Sequence, residues 1–514
     1  MPLRRTVRLA FVAAALAIVV PLSGCVSTFI PSAAPNATST PTEEKVAADL
    51  SPFYSQTLKW NSCAGGKFQC TTATAPMDWA NPGAKSIKLA LIRKTATGKK
   101  LGSLLVNPGG PGASGYDFVK DSIDYAVDST LRKNYDIIGF DPRGVNKSSA
   151  VSCYKDPSVM DSFLFDISPY PVGTDAWIDD QKANNANFGQ SCLKYTGDLL
   201  QFVDTVSAAK DLDMLRAALG DKKLNYLGYS YGTYLGATYA GLFPKKTGHL
   251  VLDGALDPTT TSLEVSETQA KGFESALRAY IKDCETGTKC PFTGSVSSSM
   301  TEVRKLLDSL DASPIQASDG RKLGSSAMTN AIILPLYNKD NWKYLSDLFT
   351  SVMGGSADYA FQLADSYYER KSDGTYTDNS TEAFIAINCL DYASTAQTDA
   401  ELRTDAAQIK QIAPVLGPQL SYDTSCSQWP FKSTRDRAAI SADGSAPILV
   451  VGTTNDPATP YVWAKNLAKQ LQNGHLITYT GEGHTAYNKS NSCVNDAVDD
   501  FFVDNTVPSK DPRC

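Results

Sequence analysis

The stretch Leu224-Asn225-Tyr226-Leu227-Gly228-Tyr229-Ser230-Tyr231-Gly232-Thr233-Tyr234-Leu235-Gly236-Ala237 sets the terms for the rest of the chain. A short apolar run, read as a strand, ends in Gly-x-Ser-x-Gly, and a small-residue run with helical spacing follows at once. A serine at such a turn is held in strained backbone with its hydroxyl lifted above the sheet edge. Gly228 and Gly232 leave room for neighbouring backbone. The amide of Tyr231 then faces the point where an oxyanion would form, and the following helix adds the positive end of its dipole. Three fixed letters recur by chance, so the weight of the pattern comes from its context.

A chain that holds this turn alternates strands with helices. Ser86 to Lys94, Leu101 to Val106, Tyr135 to Phe140 and His249 to Gly254 read as strands, and Thr205 to Leu219 as the helix leading into the serine strand. Leu101 to Val106 runs into Asn107-Pro108-Gly109-Gly110-Pro111-Gly112, a Gly-rich loop that can offer backbone amides to an anion. Beside the serine turn, Gly110 is the expected second oxyanion donor, after Tyr231. Residues 151–200 read as an excursion. After Asp257-Pro258 the alternation stops, and residues 259–445 are mostly helical in pattern, the size and position of an inserted cap. Ala446 to Thr454 resumes the core, His475 to Thr480 gives its last strand and Val494 to Val503 its closing helix. The expected fold is α/β, with a core in two parts, 49–258 and 446–514, around a helical cap.

A nucleophilic serine needs a base and an acid to orient that base. Asp456 and His484 each follow one of the last two strands, at the sheet edge that carries Ser230. His484 would take the serine proton, and Asp456 would fix the imidazole tautomer. His249 and His475 stand at strand beginnings, at the opposite edge. Asp253 is the runner-up acid, and Glu482 is too near His484 in sequence to orient it.

Composition removes other classes. The chain has 514 residues, 42% hydrophobic and 20% charged, which is globular. Its formal charge of -6, with no Lys/Arg run, argues against a nucleic-acid partner. Arg4, Arg5 and Arg8 precede an apolar segment, Leu9 to Pro21, too short for a stable bilayer anchor. It ends in Leu22-Ser23-Gly24-Cys25, which resembles a bacterial lipobox. Residues 1–24 are then a signal peptide, and Cys25 carries a lipid that holds the exported protein on the outer face of the cell membrane. An ordinary secretory signal with an incidental cysteine is the alternative. Residues 25–48, rich in Ser, Thr, Pro and Ala, read as a flexible tether. Setting Cys25 aside leaves ten of the eleven cysteines, an even number that suits an oxidising compartment. Their simplest pairing is sequential: Cys63–Cys70, Cys153–Cys192, Cys284–Cys290, Cys389–Cys426 and Cys493–Cys514. Sequence leaves that connectivity open. No Cys/His cluster suggests zinc. Neither metal nor organic cofactor is expected, and the protein is expected to be a monomer.

With these residues assembled, the chain resembles the secreted tripeptidyl aminopeptidases of high-GC Gram-positive bacteria, relatives of the proline iminopeptidases. The resemblance covers nearly all of the chain past the signal. It rests on Asn107-Pro108-Gly109-Gly110-Pro111-Gly112, Gly228-Tyr229-Ser230-Tyr231-Gly232, Asn388-Cys389-Leu390-Asp391, Asp456-Pro457-Ala458-Thr459-Pro460 and Gly483-His484-Thr485. From about Cys426 to Cys514 the chain looks like that family's C-terminal module. Asp141-Pro142-Arg143-Gly144 resembles a turn common in such enzymes, with Asn146 where a further glycine is usual and Arg143 as a structural hydrogen-bonder. The resemblance implies an α/β-hydrolase fold with a helical cap and a serine exopeptidase. Ser230 would attack a peptide carbonyl near a free N-terminus, and water would release a short peptide, a tripeptide in the family, from the acyl-enzyme. The α-ammonium group calls for a buried acid. Glu264, Glu267, Glu274, Glu382 and Asp391 are the candidates, and Asp391, in the shared run, ranks first. A carboxylesterase or lipase-type hydrolase would use the same triad. A non-catalytic binding lipoprotein would need a broken one.

Overall fold

The computed structural model describes residues 37–393, 397–433 and 435–514. The signal segment, Cys25 and the first part of the tether lie outside the described residues.

Among the described residues ten strands form one sheet: β1 (Ala37–Ser39), β2 (Leu58–Cys63), β3 (Phe68–Pro76), β4 (Ser86–Lys94), β5 (Gly102–Asn107), β6 (Tyr135–Phe140), β7 (Leu224–Tyr229), β8 (Thr247–Asp253), β11 (Ile448–Asn455) and β12 (Gly474–Glu482). Among the described residues β9 (Ile315–Gln316) and β10 (Lys322–Leu323) pair only with each other. The sheet order is β1-β2-β3-β4-β6-β5-β7-β8-β11-β12. The first four strands and the β4–β6 pairing are antiparallel, and every neighbour from β6 to β12 is parallel. The strands β5 to β8 and β11 are near-continuous apolar runs because helices cover both of their faces. Successive residues divide between the faces. Leu105, Ile138 and Tyr226 pack with the helices Thr205–Leu219 and Tyr231–Leu242. Leu104, Ile137 and Leu227 pack with Gly115–Ala126 and Ser492–Asp504. This is the α/β-hydrolase fold.

Packing divides the segment read as a single cap. The helices Ser262–Cys284, Val296–Ala312, Ser325–Leu336, Trp342–Met353 and Asp358–Tyr367 share a separate apolar core. Phe165 of the excursion and Val415 and Leu416 join it. The helix Ser380–Asp391 does not: Ala383, Ala386, Ile387 and Leu390 belong to the sheet's core. The cap boundary 259–445 is therefore corrected. Sequence marks which helix faces are apolar, and it does not mark which core they join.

The tether is corrected as well. Residues 37–48 lie on the body. β1 adds an edge strand, Ser39 Oγ accepts a 2.8 Å bond from Trp60 Nε1, and the Thr42 amide donates to Ala217 O at 2.9 Å. Glu44 pairs with the buried Arg216 at 2.6 Å, and Val46 packs on the core. A polar composition conceals these few specific anchors. All five expected cysteine pairs are joined as disulfides.

Candidate active site

Ser230 stands between β7 and the helix Tyr231–Leu242 at φ 55°, ψ -126°. A non-glycine residue holds such a conformation only where its surroundings over-determine it. Its amide donates to Asp253 O at 2.9 Å, and its carbonyl accepts from the Thr233 amide at 2.8 Å and from Thr233 Oγ1 at 2.6 Å. Tyr226 Oη donates to Gly232 O at 2.8 Å. A Cβ at Gly228 would meet Gly232 O at 2.4 Å, and one at Gly232 would meet Asn107 O at 2.9 Å. Close approach of backbone, rather than turn conformation, is what excludes side chains at both positions.

The loop after β5 is pressed onto this turn. Asn107 Oδ1 accepts from the Gly109 amide at 3.0 Å. Gly109 has φ +99°, and a Cβ there would lie 2.8 Å from Ser230 Cβ and 3.0 Å from the Tyr231 amide nitrogen. Among the described residues neither the Tyr231 nor the Gly110 amide has a hydrogen-bond partner. Two unspent donors thus flank the serine, the arrangement an oxyanion needs.

Asp456 and His484 come together from the ends of β11 and β12. His484 Nδ1 lies 2.9 Å and 3.0 Å from the two Asp456 oxygens. The carboxylate also accepts from the amides of Ala458 (3.0 Å), Thr459 (2.8 Å) and Thr485 (3.1 Å), and from Thr459 Oγ1 at 3.1 Å. With Nδ1–H given to this saturated carboxylate, Nε2 carries the lone pair that can accept a serine proton. The cap reaches the histidine: Tyr337 O accepts from the His484 amide at 2.8 Å, and the Tyr337 ring meets the imidazole edge to face at 5.3 Å. Among the described residues no hydrogen bond joins Ser230 Oγ to His484; without substrate, catalytic hydrogen bonds are often long or poorly aligned.

The alternatives fall to other duties. The Asp253 carboxyl accepts from the amides of Ala486 and Tyr487, so it shapes the turn after His484, and burial pushes it up to about 6. Glu482 bonds Asn455. His249 lies between Asn225 and Asn505, and His475 sits at the start of β12. Arg143 is fully buried, bidentate to Asp211 at 2.6 and 2.7 Å, with the carbonyls of Pro76, Met77 and Phe202 on its remaining hydrogens. Asn146 adopts φ 41° and keeps the turn.

The candidate amine acids separate clearly. Glu264 completes the capping box of its helix, Glu267 bonds Gln408, and Glu274 accepts from the Val415 and Leu416 amides. Asp391, ranked first from sequence, accepts from Thr205 on both oxygens, from the amide at 2.9 Å and from Oγ1 at 2.5 Å. Burial pushes that carboxyl up to about 7. Glu382 places one oxygen on the amides of Cys153 (2.7 Å) and Tyr154 (3.1 Å). Its Oε2 has no partner among the described residues, and burial pushes the carboxyl up. A larger cavity, about 810 Å³, runs along the flank of the helix Tyr231–Leu242 past Tyr234, Thr238 and Leu242. Asp391 lines it, and none of Ser230, Asp456 and His484 does. Sequence reasoning missed Thr459 and Tyr337. Thr459 stood in a quoted motif without a role, and Tyr337 follows a cap helix with no signal at all.

The family model described as TAP-like protein matches residues 413–514. Serine protease Hip1 of Mycobacterium tuberculosis is 34% identical over 90% of this chain and 92% of its own length. Carboxylesterase B of the same organism is 36% identical over 92% and 93%. Tripeptidyl aminopeptidase of Streptomyces lividans is 29% identical over 89% and 86%. With identity of this order over nearly the whole of both chains, the protein belongs to this TAP-like family of α/β-hydrolases and is a serine hydrolase.

Proposed function

We propose that the protein is an exported serine aminopeptidase that releases short peptides, tripeptides foremost, from free N-termini. The observation that carries this reading is the environment of Glu382. It lines a cavity of about 220 Å³ with Tyr154, Tyr376 and Asp378, a cavity that, like the larger one, none of Ser230, Asp456 and His484 lines. Ser380, two residues before it, packs its carbonyl against Gly112 of the oxyanion loop. A half-spent acid among aromatic rings suits a substrate ammonium group, through a charge-assisted bond and cation–π attraction. Its raised proton affinity reflects burial without a cation, which the substrate amine would supply.

The chemistry follows from the geometry. Ser230 Oγ attacks the carbonyl carbon as its proton passes to His484 Nε2. The Tyr231 and Gly110 amides hold the oxyanion. Collapse breaks the C–N bond, and the imidazolium returns its proton to the departing amine. Water, activated by the same histidine, then frees the peptide from Ser230. The carboxylesterase name on the 36% relative favours one second reading, ester hydrolysis by this triad. The five disulfides fit an exported protein. Lipid attachment at Cys25 completes the proposal, and incorporation of a labelled fatty acid that survives Cys25→Ala would refute it.

Tripeptide aminomethylcoumarins with a free amine, their N-acetyl forms and p-nitrophenyl butyrate distinguish the readings. We expect Ser230-dependent cleavage of the free-amine peptides, with Glu382→Gln raising KM about tenfold for these alone. Equal cleavage of blocked and free peptides, or turnover of the ester only, overturns the aminopeptidase.

A further inference from the structure

The helix Ser380–Asp391 touches both halves of the oxyanion hole. At its first turn, Gly112 is packed so tightly that a Cβ there would lie 2.5 Å from Ser380 O and 2.9 Å from the Phe384 amide nitrogen. Gly112 closes the loop that carries the Gly110 amide. At its last turn stands Asp391. Tyr231 Oη bonds Thr205 Oγ1, and Thr205 Oγ1 donates to Asp391 Oδ2 at 2.5 Å, while the Thr205 amide fixes Oδ1 at 2.9 Å. Tyr231, Thr205 and Asp391 are all buried. The chain of hydroxyls therefore ends on the residue whose amide is the other oxyanion donor.

A purely structural role explains this poorly. A buried carboxyl without a bonded cation is unfavourable, and an apolar residue would pack the same space more stably. The neighbouring Arg437 does not neutralise it by a direct bond. Its guanidinium donates to the carbonyls of Asp257 and Pro258 and lies between the rings of Tyr234 (4.0 Å) and Tyr392 (4.3 Å). The helix itself is tied down at both ends. Asn379 donates to Gly144 O and Val151 O, Glu382 accepts from Cys153 and Tyr154, and Cys389 is bonded to Cys426.

We propose that Asp391 is a positioning residue of the oxyanion hole. Acting through Thr205, it fixes the Tyr231 ring and hence the direction of the Tyr231 amide, while the opposite end of the same helix sets the Gly109–Gly112 loop. In this role Asp391 acts through Thr205 and not on the substrate, although it also lines the larger cavity. Its removal loosens a contact made only in the transition state, so it lowers kcat and leaves KM in place.

The inference rests on Ser230 acylation, the serine-hydrolase part of the proposed function, and not on peptide specificity. p-Nitrophenyl acetate is therefore the substrate, since any acylating Ser230 cleaves it. A wild type that cleaves acetate and no peptide would defeat the aminopeptidase reading and leave this test intact. Tyr231→Phe keeps the amide and removes only the hydroxyl. Tyr231→Phe, Thr205→Val and Asp391→Ala should each lower kcat about tenfold with KM within twofold, less than the loss of a whole oxyanion donor. The Ki of phenylboronic acid, whose oxygen occupies the hole, should rise by the same factor. Asp391→Asn, which still accepts from Thr205, should recover most of the loss. Wild-type kcat and boronate affinity in the well-folded Tyr231→Phe protein would overturn the proposal. So would a raised KM at constant kcat in Asp391→Asn, which would make Asp391 a substrate contact.

Discussion

Ser230 occupies backbone that an L-residue avoids, and its neighbours carry the strain. Gly109 matters most among them. Its φ of +99° favours glycine, and a Cβ would meet Tyr229 O at 2.6 Å as well as the serine itself. Neither obstacle is a flexible side-chain end, so relief requires the loop and the turn to part. Gly109→Ala should lower kcat more than a hundredfold, because a displacement near 1 Å at the reacting centre is enough for that. The strain should destabilise the fold by about 2 kcal/mol. Rate and thermal melting measured on the same preparation check both. Sequence pointed to Ser230, Asp456 and His484 because each closes a strand in a short Gly- or Pro-marked run. It could not show the setting of Asp391, since the hydrogen bonds that hold it come from Thr205, 186 residues away in the chain.

Strands and helices with a clear period were legible. Ser86–Lys94, Tyr135–Phe140 and Thr205–Leu219 have the bounds that their apolar spacing predicts. β1 was not, because three residues among Ser, Thr and Pro carry no period and are recruited by the edge of β2. The helix Ser380–Asp391 was legible as a helix and misplaced as part of the cap. Its attachment to the core gives the disulfide Cys389–Cys426 a measurable job. Closing a loop of 37 residues, that bond should stabilise by about 4 kcal/mol. If the helix sets the oxyanion hole, Cys389→Ala with Cys426→Ala should also reduce kcat at temperatures well below melting. Activity at 20 °C beside a denaturant midpoint separates the two effects.

Across the whole molecule, acids buried without cations make stability depend on pH. Asp499, on the closing helix, accepts from Tyr487 Oη at 2.7 Å. Burial, with the adjacent Asp128, pushes its carboxyl from 3.8 to about 7, while Thr130 and Tyr487 oppose the shift. The native state therefore binds this proton more tightly than the unfolded chain. The stabilisation is full below about pH 4 and is lost as pH rises through 7. Asp499→Asn removes that loss, so its Tm should exceed the wild type's by about 2 °C at pH 8 and show no gain at pH 4. A gain of equal size at both pH values would assign the effect to packing.

Catalysis turns on a serine made nucleophilic by His484. The rate of labelling by a fluorophosphonate, followed by intact mass and peptide mapping, tests it without assuming a substrate. One adduct is predicted, on Ser230, forming at least a hundredfold more slowly in His484→Ala. An adduct on another residue, or an undiminished rate without His484, would contradict it.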